Sequence, residues 1–349
     1  MNYRPSDLLR GAAIPDAVLQ ALPKTDLHAD LAGSLRPGTL AELAAAAGVA
    51  LPDDVRRAEP ADVAACLQSA GHLTRAAREL AEDSLNAGVR VLEARVCPLR
   101  HGAGGLDAEA VVTAVADGLA AAAGDQLFAG VLVTGDRADE PAANMQLARL
   151  AVARRDHGVV GFAMAGPEKG YPVDDHREAF WHARNNNLPA ACDAGHADGA
   201  ASIQAAIHRC GVVRVGHAGR LAEDQALLDF VNDHRIAVEI CFSYAVADGG
   251  FAEPGAHPLR RYHEAGLRVS LGSGSSLHDD TDMVRELRRA VDAFDFTLLE
   301  LEDMLLSGFK SAFIGEQLAR TLIVEALTGF TAVRDRFGLD DLVIAGGRG

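Results

Sequence analysis

Short apolar runs alternate with longer amphipathic stretches along almost the whole chain. The runs at 25–31, 89–97, 130–135, 159–164, 189–193, 212–216, 236–241 and 267–273 have the length and composition of strands. Between them, segments rich in Ala, Leu, Glu and Arg at 38–47, 73–87, 107–123, 141–156, 175–186, 199–209, 221–233 and 257–265 carry helical spacing. Helical pattern also fills 283–293 and 297–330. Eight strands interleaved with helices predict a parallel (β/α)8 TIM barrel. Residues 89–96 are apolar but for Arg90, Glu93 and Arg95. A strand covered on both faces reads this way, so Glu93 and Arg95 need partners inside and are expected to pair. No internal repeat and no Pro/Gly-rich linker divides residues 1–349, so one barrel domain with frayed N- and C-terminal tails is expected.

Composition narrows the partners. A chain of 349 residues that is 49% hydrophobic can bury a large core. Its net charge of −16, without a Lys/Arg cluster, argues against nucleic acid or an anionic membrane as partner. A small-molecule substrate is the expectation, with the oligomeric state open. The five cysteines (Cys66, Cys97, Cys192, Cys210 and Cys241) are odd in number and lack Cys-x-x-Cys spacing, which fits a reducing, cytoplasmic location. The N-terminus lacks a signal-peptide core, and no apolar run is long enough to span a membrane.

In such a barrel, chemistry gathers at the C-terminal ends of strands. Four of these ends are unusually polar. Leu27, Ala29 and Leu31 alternate with Asp26, His28 and Asp30, and a period of two sends His28 and Asp30 to one face. Cys192-Asp193-Ala194-Gly195-His196 closes a second strand, and Arg214-Val215-Gly216-His217 a third. Ser270-Leu271-Gly272-Ser273-Gly274-Ser275 closes the last.

These segments carry a family resemblance. Pro23-Lys24-Thr25-Asp26-Leu27-His28 is followed by Gly33-Ser34-Leu35-Arg36-Pro37. Glu93, Arg95 and Pro98 come next, then Val159-Val160-Gly161-Phe162 with Ala165-Gly166 and Glu168. Val215-Gly216-His217, His257-Pro258-Leu259-Arg260-Arg261, Val269-Ser270-Leu271 and Ser311-Ala312-Phe313 complete the set over residues 20–325. In these motifs the chain resembles the adenosine deaminase family of the metal-dependent hydrolase superfamily.

The resemblance implies a zinc bound by a His-x-His pair, by the histidine of a His-Ala-Gly-Glu run and by the first aspartate of an Asp-Asp pair. Here those positions hold His28, Asp30, Asp193 and Gly274. His196 stands where the family has its catalytic glutamate, and Ser275 where it has the second aspartate. His217 is retained, as is Gly166, the glycine whose backbone contacts the purine. Zinc lowers the pKa of bound water from about 15.7 to about 7–9, worth about 9–12 kcal/mol. By this count zinc is expected to be absent, and ordinary adenosine hydrolysis nearly lost. Any metal would use His28, Asp30 and Asp193, a set better suited to Mn²⁺ or Fe²⁺.

The expectation is therefore an enzyme, hydrolase or lyase, with a metal-independent acid/base site. His196 and Asp193 would be its leading proton donor and acceptor, with Asp30, His28 and His217 orienting them. Asp30 and Asp193 should lie close enough to raise one carboxyl pKa. Such a site suits elimination, cyclisation, isomerisation or hydrolysis of a heterocyclic or nucleoside-like molecule, bound against Gly166, Gly274 and Ser275. Ser34 and Tyr244 are candidate pocket-lining residues. One alternative is a zinc- or other-metal-dependent adenosine deaminase; another is a non-catalytic protein that binds a ligand in the old pocket.

Overall fold

The computed structural model describes residues 11–247 and 250–339; both tails expected to fray lie largely outside that range. The strands are β1 (Lys24–Asp30), β2 (Val89–Val96), β3 (Phe128–Asp136), β4 (Val159–Ala165), β5 (Ala190–Ala194), β6 (Arg214–His217), β7 (Ala237–Ile240) and β8 (Arg268–Leu271). They pair in parallel and in chain order from β1 to β8. A bridge between Ala29 and Gly274 joins the two ends. There the Asp30 N–H donates to the Gly274 carbonyl at 3.0 Å, and the Gly274 N–H to the His28 carbonyl at 2.7 Å. The expected (β/α)8 barrel is the fold found.

Several helices begin where a side chain satisfies free N–H groups. The Ser69 Oγ accepts the His72 N–H at 3.2 Å and starts Ala70–Asn86. Asp282 accepts the N–H groups of Val284 and Arg285 and starts Met283–Phe294. A reciprocal Thr297/Glu300 cap starts Leu298–Ser311. The helical pattern over 297–330 is two helices, Leu298–Ser311 and Glu316–Phe337. The break has a physical cause at the barrel floor. The Phe313 N–H donates to Glu93 Oε1 at 2.6 Å, and its ring lies 3.7 Å from the Arg214 guanidinium carbon.

That floor corrects the expected pairing of Glu93 with Arg95. Arg214, fully buried on β6, sits between Glu93 of β2 and Glu239 of β7 and donates to the Ser311 carbonyl at 3.1 Å. Arg95 pairs instead with Asp193 of β5. Residues two apart on a strand share a face but lie about 7 Å apart along it. Glu93 therefore reaches the floor, while Arg95 reaches the opposite end. All five cysteines are free. Among the described residues, no helix is long and apolar enough to cross a membrane.

Candidate active site

The strand ends bring His28, Asp193 and His217 together, with one donor atom from each within 4.8 Å of the others. His28 is buried near the end of β1, and its Nδ1 lies 3.0 Å from Glu239 Oε2. Its Nε2 lies 2.6 Å from a terminal nitrogen of Arg95, NH1. A guanidinium only donates, so Nε2 must accept and Nδ1 must carry the proton given to Glu239. The tautomer follows: the Nε2 lone pair points into the cluster.

Asp193 receives the same Arg95 nitrogen on both carboxylate oxygens, each at 2.8 Å. Burial raises its pKa, but the adjacent Arg95 guanidinium and the neighbouring His28 and His217 together outweigh burial and hold the carboxyl well below the usual range. His217 Nε2 lies 3.9 Å from Asp193, and its Nδ1 is buried without a hydrogen-bond partner. Burial pulls the His217 pKa down to about 4, so the ring is neutral at neutral pH. His217 also has a φ of 65°, a conformation uncommon for a residue with a side chain. Gly216 makes the close approach possible. A Cβ there would lie 2.2 Å from Asp193 Oδ1 and 2.8 Å from His28 Cε1.

His196 stands further out, its ring centroid 5.8 Å from that of His217. Its loop is held by Glu168, whose buried carboxylate accepts the N–H groups of Gly195, His196, Ala197 and Asp198 at 2.8–3.4 Å. Tyr244 packs beside both rings, with centroids 4.9 Å from His217 and 5.3 Å from His196. Its helix, Phe242–Ala247, is anchored by the buried Glu286, which accepts the N–H groups of Phe242 and Ser243 and the hydroxyls of Ser243 and Thr281.

The remaining sequence candidates sit at or just after the ends of β1, β4 and β8. Asp30 is not one of the three grouped donors. Between Asp26 and Ala29 the pairing with β2 slips, which interrupts the two-residue period expected to align Asp30 with His28. The Asp30 carboxylate meets the Ser275 hydroxyl at a long 3.5 Å, and burial raises its pKa. Asp193 stays ionised because of Arg95, not through a proton shared with Asp30. Gly274 forms the seam to β1, and a Cβ there would come within 3.2 Å of Cys241. Gly166 has a φ of 92°, and a Cβ on it would lie 2.2 Å from Asp136 Oδ1. Ser34 is buried, and its Oγ has no hydrogen-bond partner.

Sequence reasoning missed the roles of Arg95, Glu239 and Asp26. Asp26 accepts both the N–H (3.1 Å) and the hydroxyl (2.5 Å) of Ser273, tying the loop after β8 to β1. The available signal was a charge inside a buried strand, as in Ala237-Val238-Glu239-Ile240. A charge placed there must have a partner.

In barrels of this kind active sites gather at the C-terminal ends of the strands, where these two imidazoles and the Asp193 carboxylate stand. The family model for adenosine deaminase matches residues 23–328. An adenosine deaminase of Mycolicibacterium gilvum is 36% identical over 343 residues, covering 86% of this chain and 93% of that protein. The chain belongs to the adenosine deaminase family. A Burkholderia ambifaria amidohydrolase solved with bound Zn superposes with a TM-score of 0.86 at 21% identity, covering 93% of this chain and 95% of that one. The Arabidopsis protein ADAL, complexed with IMP, gives 0.81 at 22% identity, covering 90% and 98%.

These relatives correct the expectation of metal-independent acid/base chemistry at a degenerate zinc site without zinc. The relative sharing over a third of its residues is named an adenosine deaminase, and the Burkholderia neighbour carries zinc. The physical reason lies in how donors are counted. Reading motif positions one by one scored losses at Asp30, Asp193 and Gly274 and left His217 out of the ligand count. In space, His217 stands with His28 and Asp193. Two imidazoles and one carboxylate are a donor set used by catalytic zinc sites. The close approach that Gly216 allows, and the His217 Nε2 facing Asp193 at 3.9 Å, agree with it. The residues present therefore fit a divalent ion in kind, with Arg95 as the group that shares their space.

Proposed function

We propose that this chain is a metal-dependent hydrolytic deaminase acting on the amino group of adenosine or a close purine relative. His28, Asp193 and His217 would hold the ion, zinc by analogy with the family. When bound, the ion supplies Lewis-acid activation of water.

The rest of the work falls to the chain. Glu239 fixes the His28 ring so that Nε2 faces the cluster, a carboxylate–histidine arrangement that orients metal ligands. His196, outside the donor set and on the loop anchored by Glu168, would carry a proton to or from the substrate ring. Gly166 offers main chain with no side chain in the way, and Tyr244 supplies an aromatic wall beside the imidazoles. The observation that carries this reading is the gathering of His28, Asp193 and His217 within 4.8 Å in a chain of this family.

The test is metal analysis of protein purified without chelator, together with an ultraviolet assay for conversion of adenosine to inosine. Stoichiometric zinc and turnover in the native chain are expected, with both lost in Asp193→Asn. Activity that survives complete metal removal would overturn the reading, as would a zinc-loaded protein that leaves adenosine untouched.

A further inference from the structure

Arg95 occupies an unusual seat. Among the described residues, its terminal nitrogen NH1 makes every hydrogen bond of the side chain: one to His28 Nε2 and one to each Asp193 oxygen. Its Nε and its other terminal nitrogen are buried without partners among those residues. A buried guanidinium held by a single nitrogen is poorly satisfied. Arg214 at the floor differs: its two terminal nitrogens donate to Glu93 and the Ser311 carbonyl, and its Nε lies against Glu239.

The seat also conflicts with metal binding in a definite way. An imidazole Nε2 has one lone pair, and in this structure Arg95 uses it. A metal ion bound to His28 needs the same lone pair and the same Asp193 oxygens. Both occupants are cations, and at this spacing they repel.

Resting on the metal-dependent reading above, we infer that Arg95 is a displaceable counter-cation: its guanidinium and a divalent ion are alternative occupants of the His28–Asp193 donors. Without the ion, Arg95 neutralises Asp193 and keeps the cluster assembled. With the ion, Arg95 must withdraw, so the native chain binds metal more weakly than its donors alone would allow.

The test compares zinc affinity in the native chain, Arg95→Met and Arg95→Lys by competition with a chromophoric chelator, with folding checked by circular dichroism. Arg95→Met should bind zinc at least about tenfold more tightly than the native chain, a gap of about 1.4 kcal/mol, with Arg95→Lys in between. Equal or weaker binding by a folded Arg95→Met protein overturns the inference and leaves the deaminase reading standing. Zinc binding by none of the three overturns the deaminase reading itself. Should Arg95→Met fail to fold, a crystal structure of the zinc-loaded native chain decides. Arg95 should be found away from His28 Nε2, and zinc bound with that hydrogen bond intact would end the idea.

Discussion

The floor and the mouth of this barrel hold the same kinds of charge but treat them differently. At the floor, Arg214 lies between Glu93 and Glu239, all three side chains being essentially inaccessible to solvent. The Ser311 carbonyl and the Phe313 N–H complete the arrangement, and the Phe313 ring covers it. At the mouth, Arg95 is engaged through one nitrogen, His217 keeps an unpartnered nitrogen, and the Asp193 side chain retains 13% of its accessible surface. Buried polar groups are normally paired, so leftover capacity needs a reason. Where each charge lies against an opposite one and is closed off from solvent, the charges hold structure together. Where donors are left over, they are available to something that binds. Glu239 belongs to both regions, touching Arg214 through one oxygen and His28 through the other.

The sharpest way to break this contrast is at the floor. Arg214→Ala would take the shared cation from two buried carboxylates, Glu93 and Glu239, and losing one partner of a buried ion pair costs about 3–5 kcal/mol. Urea unfolding should show a loss of that order. Arg95→Met should cost less, because Asp193 reaches some solvent. Equal losses in the two variants would erase the distinction.

The helix that carries Tyr244 offers a pH test. Burial raises the Glu286 pKa from its ordinary 4.5 to about 7, against the hydrogen bonds it accepts. The folded state therefore binds this proton more tightly than the unfolded chain does. The resulting stabilisation is full below about pH 4.5 and is lost as pH rises through about 7, amounting to about 3 kcal/mol. Unfolding curves of the native chain and Glu286→Gln should diverge across that window. Parallel curves would show that Glu286 titrates normally.

The smallest effect concerns the His196 loop. Glu168→Gln puts an amide where four N–H groups converge on a carboxylate. Deamination should slow about 10- to 100-fold through misplacement of His196, with zinc content unchanged because Glu168 touches none of the grouped donors. Loss of zinc together with the rate would show that the loop and the donor cluster are one unit.

Much of this molecule was legible before its structure. Each of the eight observed strands falls on one of the apolar runs, and the polar strand ends at His28, Asp193 and His217 meet at one site. The break inside the helical stretch 297–330 was not legible, because local spacing carries no sign that Phe313 is needed under Arg214. The partner of Arg95 was misassigned because Glu93, two residues away, looked nearer than Asp193, 98 residues away.

The sequence alone determined where strands and helices run and which residues with chemistry end them, because periodicity and side-chain type are local properties. The tertiary structure decided that Arg95 meets His28 and Asp193, that His217 joins the donors and that Asp30 does not. Those outcomes depend on the register of parallel strands around a closed barrel, and on a slip in β1 between Asp26 and Ala29. Register is set by the packing of distant segments, so nothing within any one segment could state it.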